Sequence, residues 1–162
     1  MEVKLPGVSA KSVSILTLGV KDLKRSIEFY EAMGWELSPD SDGACTYVLS
    51  TNIAIGLLPH DFLAKEIGLP LEPIPRYHGL LLAINGATPE EVDAIFERAV
   101  AAGATVWQKP VWKDWDGNAG YSGFIMDPDG YIWELAYASA LRIGEDNRLL
   151  PTTKAEAAER KK

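Results

Sequence analysis

Apolar and polar positions alternate along this chain in a pattern that is set once and then repeated. Val13–Val20 is a β-like run, and at Asp22 the period changes. Leu23, Ile27, Tyr30 and Met33 follow at helical spacing, with Phe29 widening the stripe. Asp22 suits an N-cap and Gly34 the C′ position, where a left-handed residue ends a helix. Trp35–Leu37 begins the next strand, and Ala44–Leu49 with Ile53–Leu58 reads as a hairpin around Ser50, Thr51 and Asn52.

The second half repeats this order. Gly79–Ile84 reads as a strand. Thr88-Pro-Glu-Glu91 combines an N-cap threonine, a proline at N1 and a glutamate at N3, which together make a capping box. Val92, Ile95, Phe96, Ala99 and Val100 form the apolar stripe, and Gly103 ends the helix. Ala104–Gln108 is the next strand. A hairpin closes the set, its Asp127-Pro-Asp-Gly130 turn flanked by Phe124, Ile125, Tyr131, Ile132 and Trp133. The predicted order is therefore β-α-β-β-β, twice, in an α+β chain, and neither unit covers its own sheet well enough to stand alone. The expected divisions are an arm over 1–11, a first module over 12–58, a rim or linker over 59–77, a second module over 78–138 and a charged tail over 139–162. In the linker, Asp61 to Gly68 suits a short helix, and Pro70, Pro73 and Pro75 make the rest extended. The end of the tail reads as frayed chain, a solvated helix or a partner-binding arm.

Composition narrows the classes. A 162-residue chain with net charge −7 and no basic stripe is not built for nucleic acid. Its apolar runs fall short of the roughly 18 residues that span a bilayer, and Met1–Ala10 lacks the apolar run of a secretory leader, so no membrane partner and a cytoplasmic location are expected. The single cysteine, Cys45, rules out an intrachain disulfide and a cysteine-based zinc motif; it reads as a core residue. There is no glycine-rich phosphate loop, and no serine or histidine falls in a nucleophilic motif.

Two segments carry a resemblance. Leu18-Gly-Val-Lys-Asp-Leu-Lys-Arg-Ser-Ile-Glu-Phe-Tyr-Glu-Ala-Met-Gly-Trp35 and Gly123-Phe-Ile-Met-Asp-Pro-Asp-Gly-Tyr-Ile-Trp-Glu-Leu135 are similar to the strand-to-helix start and the last hairpin of the vicinal oxygen chelate superfamily. That group contains glyoxalase I, bleomycin-resistance proteins, extradiol dioxygenases and fosfomycin-resistance enzymes. The resemblance implies two βαβββ modules forming a cup-shaped mixed sheet with helices outside, and modules often paired across a homodimer. It also implies, where a metal is used, four inward ligands from the first and last strands of each module. Carried onto this chain, those positions fall on Glu134, Ile55, Ile15 and Gly79, or on His78 if the register shifts by one. With aliphatic residues at two of the four, no stoichiometric catalytic metal is expected; Glu134 and His78 are the candidates for a divalent ion, and His60 is a loop residue.

Glu134 then has three readings. It pairs with a cation such as Lys109 or Lys113, it acts as a general base or acid, or it bonds a ligand. Strand alternation puts Ile132 on its face, and the family pattern adds Ser122 and Phe124. The expected pocket is Ile15, Thr17, Ile55, Ser122, Phe124, Ile132 and Glu134, or else these residues fill a closed core. Trp107–Gly120, with Trp107, Trp112 and Trp115, reads as a lid over a planar ligand or as a dimer contact. The functions these features imply are a glyoxalase/bleomycin-resistance-like protein binding a small organic molecule, an isomerase or lyase using Glu134 as base, or a divalent-metal-dependent glyoxalase-like lyase or dioxygenase.

Overall fold

The structure, a computed structural model, describes residues 13–41, 46–49 and 53–159. The expectations for Cys45, for the arm over 1–11 and for the last three residues lie outside them. The first module runs β1 (Ile15–Val20), α1 (Leu23–Ala32), β2 (Glu36–Leu37), β3 (Thr46–Leu49) and β4 (Ala54–Pro59). A helix, α2 (His60–Ile67), follows. The second module runs β5 (Leu82–Asn85), α3 (Pro89–Ala101), β6 (Thr105–Trp115), β7 (Asn118–Met126) and β8 (Ile132–Ala138), with α4 (Lys154–Glu159) near the end. Each module builds an open four-stranded mixed sheet, ordered β1-β4-β3-β2 and β5-β8-β7-β6, with the first and last strands parallel. The α+β architecture of two βαβββ modules is the one expected from the repeat.

The helix ends follow their chemistry. Asp22 Oδ1 accepts the Arg25 N–H at 3.1 Å, and Thr88 Oγ1 accepts that of Glu91 at 3.2 Å. Glu91 reaches back to the Ala87 N–H at 2.6 Å, one residue before the N-cap. Gly34 and Gly103 sit at C′ with φ of 94° and 100°, a region closed to most side chains. In the tail, Thr153 and Glu156 cap α4 reciprocally, and Glu156 pairs with Arg142 at 2.8 Å.

One face of each sheet carries its helix, and both such faces feed a single core containing Leu18, Phe29, Tyr30, Ile55 and Leu57 from the first module and Val92, Ala99, Ile125, Trp133 and Leu135 from the second. The 127–130 turn locks the modules together. Asp127 Oδ2 accepts the Tyr30 O–H at 2.7 Å, and the Trp133 indole N–H donates to that phenol oxygen at 3.2 Å. Asp127 Oδ1 accepts the backbone N–H groups of Asp129 and Tyr131, each at 2.9 Å. Asp129 accepts from the Lys21 N–H at 2.8 Å and the Ser26 hydroxyl at 3.0 Å, and the Tyr131 hydroxyl donates to the Gly19 carbonyl at 2.9 Å. Burial pushes Asp127 above the ordinary carboxylate range against the pull of its three donors, and burial beside Asp127 raises Tyr30 well above the usual phenol.

Three features differ from the sequence reading in ways that bear on the site. β5 starts at Leu82; Gly79, with φ of 67°, lies in the linker before it. Trp107–Gly120 is not a loop: it is most of β6, a two-residue turn at Asp116-Gly117 with φ of 54° and 81°, and the start of β7. Positive φ at both residues gives the turn whose twist matches a hairpin. Finally, Ile55 turns toward the core and not toward the face of Ile15 and Thr17.

Candidate functional site

The face of each sheet away from its helix is its open face. Residues paired across a ladder share a face, so the register assigns the lining. On the second module, Ser122 pairs with Ala136, Phe124 with Glu134 and Met126 with Ile132, while Trp133 and Leu135 turn into the core. Lys113 pairs with Gly120 on the open face, and Trp115 folds over Gly120, where an added Cβ would come within 2.4 Å of the indole. Trp112 belongs to the opposite face: it pairs with Tyr121 and stacks against that ring at 5.1 Å and against Tyr137 at 6.5 Å. The expectation that Trp112 and Trp115 act together is therefore corrected, since residues at odd spacing on one strand diverge.

On the first module, Ile15 and Thr17 lie on the open face, with Ile15 46% exposed. Both crowd the space above Gly56. Ile55 is 4% exposed and sits in the shared core beside Leu16, its partner on β1. Ile55 thus does not share a face with Ile15 and Thr17: that expectation is one residue out of register, and Ala54 and Gly56 occupy the open face instead. The repeat makes the equivalence explicit. Thr17 stands five positions before N-cap Asp22 and pairs with Gly56; Ala83 stands five before N-cap Thr88 and pairs with Glu134. Gly56 is thus the counterpart of Glu134.

The donors on these faces do not suit a divalent centre. Thr17, Gly56 and Ala83 accompany Glu134, and among the described residues no group of three His, Cys, Asp or Glu comes together. His78 lies in the linker, its Nδ1 3.3 Å from the Pro75 carbonyl and its ring edge-on to Tyr131 at 5.0 Å. His60 contacts the Glu72 carbonyl at 2.5 Å and leans on Gly19.

Among the described residues Glu134 has no hydrogen-bond or ion-pair partner, so the pairing with Lys109 or Lys113 is not made. Lys113 instead donates to Ser122 Oγ at 2.6 Å and lies 4.6 Å above the Phe124 ring centre. Sequence reasoning set Lys113 aside as a partner for Glu134; the signal for its own position was its even spacing from Trp115 in a strand. Beyond Phe124 opens a cleft of about 410 Å³, walled by Ile132, Trp107, Gln108, Tyr77, Leu80 and Leu81, with Arg76 stacked on Trp107 at 4.8 Å. A volume of this order with few polar groups suits a small organic molecule.

Known proteins carry the same architecture. A glyoxalase-related enzyme from Fulvimarina pelagi is 27% identical with a TM-score of 0.76, covering 88% of this chain and 99% of its own. A glyoxalase/bleomycin resistance protein/dioxygenase from Nocardioides is 23% identical with a TM-score of 0.66, over 85% of this chain and 91% of its own. A glyoxalase/bleomycin resistance protein/dioxygenase family enzyme from Burkholderia phytofirmans PsJN is 20% identical with a TM-score of 0.68, over 76% and 96%. No curated protein matches the chain. No helix among the described residues is long and apolar enough to cross a membrane. The family model of the glyoxalases matches residues 12–135, both modules included, and the chain belongs to the Glyoxalase/Bleomycin resistance protein/Dioxygenase superfamily.

Proposed function

We propose that this protein binds a small, partly aromatic organic molecule on the open face of its second module, in the cytoplasm and without a stoichiometric catalytic metal. The observation that supports this best is Glu134: a carboxylate without a partner among the described residues, directly opposite Phe124, which lines a largely apolar cleft. In a family whose scaffold hosts many reactions, the site and not the fold has to carry the function. Here the site offers an aromatic wall, one acid and no set of metal donors. Ligand binding is tested by titrating the purified chain with aromatic fragments: Phe124→Ala abolishes binding if the assignment is right and leaves it unchanged if it is wrong. Elemental analysis of protein purified without chelator tests the metal; a divalent ion near one per chain would favour the lyase or dioxygenase alternative.

The unpartnered state of Glu134 also supports a second reading, a metal-independent isomerase or lyase with Glu134 as base. Glu134→Gln separates the two, because an enzyme loses turnover while a sequestering protein keeps most of its affinity. Apolar side chains left exposed beside the open faces, Ile15 at 46%, Leu81 at 51% and Trp107 at 56%, support pairing of two copies, which sedimentation velocity tests.

A further inference from the structure

Among the described residues Lys113 is paired with no carboxylate. Its ammonium has three N–H donors; Ser122 Oγ takes one at 2.6 Å, and the ion pairs among the described residues, Lys24–Glu28 and Arg142–Glu156, do not include it. Yet it is held. Ser122 is fully buried, so its hydroxyl is a fixed acceptor, and the Phe124 ring face, 4.6 Å away, adds attraction for the cation. The lysine starts opposite Gly120 and reaches along the sheet past Ser122 to Phe124. Phe124 is directly opposite Glu134, which places their Cβ atoms about 5 Å apart. Phe124 therefore neighbours both a positioned ammonium and a carboxylate with no partner among the described residues. Each keeps unused hydrogen-bonding capacity on the same face of the sheet.

From this geometry, and resting on the binding site proposed above, we infer that Lys113 and Glu134 are the two poles of that site. The ligand class is then a small aromatic molecule with a carboxylate at the Lys113 end and a hydrogen-bond donor, such as a primary amine, at the Glu134 end. The Phe124 ring and the cleft beyond it take the apolar body, and the ammonium supplies charge-assisted hydrogen bonds to the carboxylate. Glu134, acceptor only when ionised, selects a donor.

The test uses four probes with the full chain: 4-(aminomethyl)benzoate, benzoate, benzylamine and uncharged benzyl alcohol, followed by tryptophan fluorescence and NMR shifts. The 4-(aminomethyl)benzoate should bind more tightly than the other three. Lys113→Met should weaken benzoate about tenfold and leave benzylamine unchanged, and Glu134→Gln should do the reverse. Lys113→Arg should recover most of the carboxylate affinity, which a purely structural role would not require. If Lys113→Met and Glu134→Gln leave the charged probes unaffected while Phe124→Ala still abolishes benzyl alcohol binding, the two-pole inference falls and the apolar site stands. If no probe binds, or Phe124→Ala changes nothing, both fall.

Discussion

The two modules share one topology and treat their open faces in opposite ways. On the first, two positions of that face are glycine: Gly19 and Gly56. Gly19 lets α2 settle over that end of the sheet, with His60 Nδ1 2.8 Å and a Leu63 methyl 3.3 Å from where a Cβ would stand. On the second, the counterpart of Gly56 is Glu134, and the neighbouring strands add Phe124, Ser122 and Lys113. The linker skirts this face and walls its cleft with Tyr77, Leu80 and Leu81. The repeated scaffold thus has its core twice and a carboxylate at this register once. What differs is side-chain size at a few positions of identical register, and where the residue is Gly19 the chain's own α2 comes down onto the sheet.

The comparison can be broken at several points. Asp127→Ala should have the largest effect, because it leaves two backbone N–H groups and the Tyr30 hydroxyl without an acceptor at the joint that holds both faces: about 3–5 kcal/mol, read as a fall in chemical-denaturation midpoint. Asp127 also sets a pH signature. Its folded pKa is raised, so it favours the folded state fully below the unfolded carboxylate value, about 3.9, and loses that contribution as the pH rises through the folded value. The stability advantage of the wild type over Asp127→Asn should therefore grow as the pH falls through that window. Ile55→Ala comes next, at about 2–5 kcal/mol, against little for Thr17→Ala on the other face of the same sheet. Equal costs would mean that the face assignment is wrong. Gly19→Ala should cost about 1–3 kcal/mol by forcing α2 away, seen as faster proteolysis near residues 60–67. Glu134→Gln should move stability by less than about 0.5 kcal/mol, since no partner among the described residues is lost. A large loss there would make the carboxylate structural and end the contrast between the faces.

What could be read from the residues was mostly local. Asp22, Thr88, Glu91, Gly34 and Gly103 announce both helices, because capping is settled within four residues. The 123–135 hairpin is legible for the same reason. The β6–β7 hairpin was missed although Asp116-Gly117 is a strong two-residue turn signal. Pro110 and the register shifts on either side of Gln108 break the alternation that would have shown a strand, which an edge strand tolerates. Ile55 was misplaced because a slip of one residue inverts a strand, and an apolar run such as Ile-Gly-Leu-Leu gives no alternation to correct it. The role of the 127–130 turn was hidden for another reason. Its partners Tyr30, Lys21 and Gly19 lie far away in the chain, and no local pattern points to them.

That distance has a consequence for how the chain acquires its structure. The bonds from Asp127 to Tyr30, from Lys21 to Asp129 and from Tyr131 to Gly19 close spans of 97, 108 and 112 residues. Helix α1 is completed by the turn that leads into β8, the last of the described strands. A nascent chain that has emerged only as far as the linker holds a module whose Tyr30 lacks its acceptor, so the first half should wait for the second. High contact order of this kind slows folding, and it makes the two repeats one cooperative unit despite their separate sheets.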